Sequence, residues 1–123
     1  MVERTALQTE TFNYTYEMFL HSIEILTSRL KGKYYNGIYV IPRGGLMIGL
    51  FLSHRLRLPI INQITNNTLI IDDICDTGNT LIKYPNNDKA VLVTKVTGAI
   101  NVNKLNYDIT CKDNEWVKFF WEV

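Results

Sequence analysis

The sequence predicts an α/β domain with a mainly parallel central sheet flanked by helices. Three short apolar runs, at 37–41, 68–71 and 90–95, have the length and β-branched content of buried strands. Stretches with helical spacing precede and separate them. A chain that alternates strands with helices lays its strands side by side in one direction.

The elements follow in order. Tyr16, Phe19, Leu20, Ile23, Leu26 and Leu30 recur at spacings of three and four, which predicts an amphipathic helix over 15–30, with Gly32 as its stop. Residues 37–41 form the first buried strand, broken by Pro42-Arg43-Gly44-Gly45. Residues 46–57 read as a second helix, apolar early and basic late, with His54, Arg55 and Arg57 where a helix C-terminus favours cations. Residues 59–64 read as extended, and Asn66-Asn67 as a turn. The strand at 68–71 ends in Asp72-Asp73, residues 77–83 open a short helix, and Pro85 with Asn86-Asn87 stops it. After the strand at 90–95, residues 97–106 read as irregular, and 107–110 and 116–120 as further strands.

At 123 residues the chain is expected to be a single domain, residues 1–123, with a formal charge of +1. That balance argues against a nucleic-acid-coating protein, which is usually clearly basic. No apolar run reaches the roughly 18 residues of a membrane span. The polar start, carrying Glu3 and Glu10, does not read as a secretory signal, so a cytoplasmic location is expected. Cys75 and Cys111 lack metal-ligand spacing and read as reduced thiols. His21 and His54 read as partly exposed helix residues.

The chemistry concentrates at 69–81. A buried strand delivers Asp72 and Asp73 to its C-terminal end, the edge where open α/β sheets bind ligands. A turn follows, carrying Asp76, Thr77, Gly78, Asn79 and Thr80. Gly78 permits close backbone approach, and backbone N–H groups with the Thr77 and Thr80 hydroxyls suit a phosphate. Three carboxylates beside a phosphate repel it unless they bind hydroxyls or a metal, and a sugar phosphate with Mg²⁺ satisfies both conditions. Upstream, 38–50 is a strand, a glycine turn and a helix start, with Arg43 adding a cationic fork for phosphate oxygens.

Residues 69–81 resemble the signature of the type I phosphoribosyltransferases: four apolar residues, two acids, two apolar residues, then Asp-Thr-Gly-x-Thr-Leu. The resemblance implies that family's fold and a site for 5-phosphoribosyl-1-pyrophosphate (PRPP). Asp72 and Asp73 would hold the ribose hydroxyls, directly or through Mg²⁺, and residues 76–80 would wrap the 5′-phosphate. Asp76 would be the general base near the attacking ring nitrogen. Arg43, Gly44 and Gly45 resemble the pyrophosphate loop, closest to the xanthine-guanine enzymes, in which a non-proline cis peptide is common. Lys95 matches the lysine that contacts a 6-oxo group, Trp116 the aromatic that stacks on the base, and Val117 the residue whose backbone reads the base edge. The run 116–122 resembles the terminal segment of the xanthine-guanine enzymes, with Phe120 for its proline and Glu122 for its acid, a candidate ligand for a pyrophosphate-side Mg²⁺.

One departure stands out. Family members carry a long flexible segment between these two motifs, which closes over the substrates and excludes water. Here only 59–68 remains, less than the dozen or so residues of a normal parallel crossover. It is either an extended connection or an antiparallel hairpin, and the lid is reduced or absent. Two readings follow. One is a minimal 6-oxopurine phosphoribosyltransferase using guanine, xanthine or hypoxanthine, working as a homodimer whose partner supplies the lid. The other is a non-catalytic PRPP- or nucleotide-binding regulator.

Overall fold

A computed structural model describes residues 10–122 of the chain. The elements are β1 (Glu10–Tyr14), α1 (Tyr16–Leu30), β2 (Gly37–Val40), α2 (Leu46–Leu56), β3 (Thr68–Ile71), β4 (Ile74–Cys75), β5 (Lys89–Ala90), β6 (Val93–Lys95), α3 (Val96–Asn101), β7 (Leu105–Asn106), β8 (Ile109–Cys111) and β9 (Glu115–Phe119). The sheet β2-β3-β5-β7 is parallel throughout, and so is β4-β6-β8.

These two sheets are one set of strands with a shared break. The chain interrupts its pairing at Asp72-Asp73, Val91-Leu92 and Tyr107-Asp108. Backbone bonds bridge the break, from Leu92 N to the Asp73 carbonyl at 3.0 Å and from Ile109 N to the Leu92 carbonyl at 3.2 Å. An irregularity of this kind re-aims side chains beside a site. It is why the run read as one strand at 90–95 is two, β5 and β6.

α1 forms where its apolar stripe predicts. The Thr15 hydroxyl accepts from the Met18 amide at 3.2 Å and caps the start, and Phe19, Ile23, Leu26 and Leu30 are buried along one face. That face packs with α2 and the sheet residues Ile38, Leu69, Ile71 and Leu92 in the main core. Phe19 meets Phe51 edge-to-face at 4.9 Å. A smaller core of Ile70, Cys75, Leu81, Val91 and Val102 fills the other face. No helix among the described residues is long and apolar enough to cross a membrane.

Several expectations change. Residues 77–83 make only a 3₁₀ turn at Leu81–Lys83, in which Lys83 N and Tyr84 N reach back three residues to the Thr80 and Leu81 carbonyls, and Pro85 follows at once. The stretch read as irregular contains α3 and β7, and the strand read at 107–110 is β8. The hairpin does not form. Residues 59–61 run beside the outer edge of β2 as one parallel bridge, Ile38 to Ile60, and 62–67 return to β3 on its inner edge. β2 separates the two, so no long crossover is needed. β1 was not foreseen, and it pairs in parallel with β9, Phe12 opposite Val117.

β1, α1 and the break before β8 are tied by a hydroxyl chain. The Tyr14 phenol donates to Ser22 Oγ at 2.6 Å, and Ser22 donates to Asp108 Oδ2 at 2.7 Å. Ser22→Ala strips both neighbours of a partner and is expected to cost ~1–3 kcal/mol in chemical denaturation. An unchanged midpoint would mean that water replaces the hydroxyl.

Candidate functional site

A cleft of about 390 Å³ opens at the C-terminal ends of β2, β3 and β4. Ile41, Pro42 and Gly44 form one wall, and the unbroken run 72–81 forms the other. The two motifs singled out in the sequence therefore face each other. Gly44 lies against Asp73, so that a Cβ on Gly44 would fall 2.5 Å from the Asp73 carboxyl atoms. Gly45 is equally pressed, with the Ile71 carbonyl 2.7 Å from a Cβ built there. The Pro42–Arg43 peptide is cis. Arg43 is exposed at the tip of this turn.

The strand break carries Asp72 and Asp73 into this wall. Asp73 is only 2% exposed, and its Oδ2 has no hydrogen-bond partner. Asp72 Oδ1 accepts from the Asp73 amide at 2.8 Å. Burial, and then the neighbouring Asp73 charge, push the Asp72 carboxyl up to about 8. Burial raises Asp73 as well. Glu122 has a second orphaned oxygen, Oε1, and burial raises its carboxyl, with the Asp73 charge adding to the effect. Two partnerless buried carboxylate oxygens that feel one another are expensive without a proton, a hydroxyl or a cation. Among the described residues, no three His, Cys, Asp or Glu side chains are arranged to hold a metal unaided.

The turn at 76–80 is open to a ligand. Asn79 N bonds its own turn through Thr77 Oγ1 at 3.3 Å. Among the described residues, the N–H groups of Thr77, Gly78 and Thr80 find no acceptor. Gly78 has φ +93°, and a Cβ there would lie 2.6 Å from Val102. An anion held here would rest on loop amides and hydroxyls rather than a helix start, since only a 3₁₀ turn follows.

Lys95 is 1% exposed at the end of β6. Its ammonium donates to the Glu115 carbonyl at 2.5 Å and the Asp113 carbonyl at 3.3 Å, and lies 3.8 Å from Asp76 Oδ1. Its three protons therefore face the turn before β9 and the candidate base together. Trp116 follows that turn on β9, half-buried and in register with Thr11, while Val117 is buried in the main core. Lys95 is thus brought beside Asp76, while none of Lys95, Trp116 and Val117 lines the cleft itself.

Sequence reasoning missed the brace beneath this turn. A Cβ on Gly98 would sit 2.6 Å from the Asp76 carbonyl and 2.7 Å from Cys75 Sγ, so α3 rests directly on the chain at 75–76. Asn101 Nδ2 donates to the Thr77 carbonyl at 3.0 Å. The Asp113 carboxylate accepts from both the Thr97 hydroxyl and the Thr97 amide, which hold it below the usual carboxylate range. A glycine amid apolar residues was the available signal for such close contact.

No protein-family model and no curated protein matches the chain. Solved structures do. A purine phosphoribosyltransferase from Pyrococcus horikoshii Ot3 superposes with TM-score 0.78 at 21% identity, covering 94% of this chain and 96% of that one. A Helicobacter pylori xanthine-guanine-hypoxanthine phosphoribosyltransferase gives 0.71 at 22% identity, covering 93% of each. A Neisseria gonorrhoeae protein with bound ppGpp gives 0.73 at 18% identity, covering 93% and 90%. The chain has the fold of the type I phosphoribosyltransferases.

Proposed function

We propose that the chain is a purine phosphoribosyltransferase that joins a 6-oxopurine, namely guanine, xanthine or hypoxanthine, to PRPP and releases pyrophosphate. The observation that carries this reading is the buried Asp73 carboxylate, with one oxygen left over, pressed against Gly44 of the Arg-Gly-Gly turn in the cleft that the open turn at 76–80 also lines. A ribose bearing phosphate at one end and pyrophosphate at the other fits between those two turns. Asp72 and Asp73 hold its hydroxyls, the amides and hydroxyls of 76–80 hold the 5′-phosphate, and Arg43, Gly44 and Gly45 take the pyrophosphate. The orphaned oxygens of Asp73 and Glu122 would hold Mg²⁺, which when bound would offset the charge of the leaving pyrophosphate.

In the reaction, the bond from ribose C1′ to pyrophosphate breaks, with its electron pair leaving on pyrophosphate. The base nitrogen bonds C1′, and its proton passes to the Asp76 carboxylate. Lys95 keeps Asp76 in place, and a 6-oxo oxygen would reach its ammonium by displacing the long Asp113 bond. Trp116 stacks on the ring, with the Val117 backbone at its edge. Because 62–67 is too short to fold over the cleft, a second copy covers it, and the working unit is a homodimer.

A regulator that binds PRPP or a nucleotide without turnover is the second reading. The short 62–67 connection and the ppGpp-bound neighbour favour it. The deciding measurement is pyrophosphate release from PRPP and Mg²⁺ with guanine, xanthine, hypoxanthine and adenine offered separately, alongside PRPP calorimetry. Release that depends on a 6-oxopurine is expected. Binding without release turns the assignment to the regulator, and neither binding nor release overturns both.

A further inference from the structure

A second cleft, of about 410 Å³, lies at the other end of the sheet, where α1 and α2 both finish and β2 begins. Lys31 and Lys33 reach it from the α1–β2 turn, and Arg55 and Arg57 from the end of α2, with Tyr35 and Leu58 on its floor. Four cations around one hollow are notable in a chain whose formal charge is only +1. Two carboxylates oppose them. Glu24 holds Arg55 at 3.1 Å, and Asp88 lies 3.8 Å from Lys33 while accepting from the Tyr35 phenol. Among the described residues no ion pair engages Lys31 or Arg57.

Basic residues at helix C-termini answer the carbonyl ends of the helix. That accounts for Arg55, in the last turn of α2, and for Lys31, at the cap of α1. It does not account for the backbone of Arg57. Both helices turn off through a residue in the left-handed region. After α1 that residue is Gly32, at φ +86°, which pays no steric penalty. After α2 it is Arg57, at φ 56° and ψ 46°. Arg57 thus holds a long charged side chain where glycine fits best, and its charge stands beside three others around the cleft.

We propose that this cleft is a second anion site, distinct from the catalytic one, for a small multiply charged phosphate compound, either inorganic or a nucleotide. Arg57 and Lys31 contact the phosphates, and Arg55 and Lys33, already oriented by carboxylates, line the approach.

The test is an amide chemical-shift titration of the full chain with pyrophosphate and, separately, with GTP, each against sodium chloride at matched ionic strength. Shifts at Lys31, Gly32, Arg57 and Leu58, saturating independently of those at 43–46 and 76–80, are expected. Arg57→Gly keeps the turn and removes the charge. It should leave the unfolding midpoint unchanged or higher while weakening binding at these amides by about tenfold, the worth of one charge-assisted contact. Saturation by GTP but not pyrophosphate identifies the ligand as a nucleotide, and the converse as inorganic. Shifts that sodium chloride reproduces, or binding unaltered in Arg57→Gly, overturn the site.

Discussion

Replacing Asp72 and Asp73 together by asparagine is expected to abolish Mg²⁺-dependent PRPP binding while making the apo protein more stable at pH 8. The two effects share one cause. Asp73 is buried and Asp72 partly so, and burial with the Asp73 charge pushes the Asp72 carboxyl up to about 8 against 3.8 for an ordinary aspartate. Between those values the folded state binds more protons than the unfolded state, so this pair lowers stability as pH rises from about 4 to 8. At ~1.4 kcal/mol per pKa unit, a rise of this size costs roughly a few kcal/mol at pH 8. Asparagines do not ionise and escape it. The difference in melting temperature between variant and parent should therefore be small near pH 4 and grow toward pH 8. Losing both carboxylates removes the groups assigned to the ribose and to Mg²⁺, and PRPP affinity should fall at least ~100-fold, about 3 kcal/mol. Unchanged PRPP affinity would remove these residues from the site. A flat stability difference across pH would show that the pair is not strained in the apo protein.

That trade explains which parts of the molecule can be read in the sequence. Asp72, Asp73 and the turn at 76–80 are contiguous, and they follow an apolar run whose burial the residues themselves declare. The helices α1 and α2 are equally legible, because their apolar stripes span whole turns. α3 is not. Val96, Thr97 and Gly98 are poor helix formers, and the helix exists because Asp113 ties down Thr97 while Gly98 beds onto Cys75 and Asp76. β1 shows a two-residue alternation, Phe12 and Tyr14 inward, yet its partner β9 lies near the far end of the chain and no local signal names it. The shared strand break is likewise a property of neighbouring strands, marked in the sequence only where it falls on polar residues such as Asp72 and Asp108. Lys95 was legible as a residue of consequence, but not as one that spends its protons on the turn at 113–115.

Gly44→Ala is expected to lower kcat/KM for PRPP by about 100-fold, the scale on which a displacement of roughly 1 Å costs catalysis. The added methyl would sit 2.5 Å from Cγ and both carboxyl oxygens of Asp73. Three atoms of one planar group cannot all yield by a small rotation. The carboxyl also has little room to retreat, since it is 2% exposed. Either Asp73 swings out of its wall or the Arg-Gly-Gly turn lifts away, and both outcomes widen the distance between the two grips on the substrate. Overpacking of this kind costs ~1–3 kcal/mol of stability, which leaves a folded protein to assay. The site is thereby tested by its spacing rather than by its charges. Every ionisable group survives the substitution: if the turn lifts, the pH dependence of stability should stay that of the parent, and if Asp73 swings out it should flatten, while PRPP handling fails in both cases. Should PRPP binding and turnover match the parent, the contact between the two turns would be packing alone, and the pyrophosphate role of residues 43–45 would fall with it.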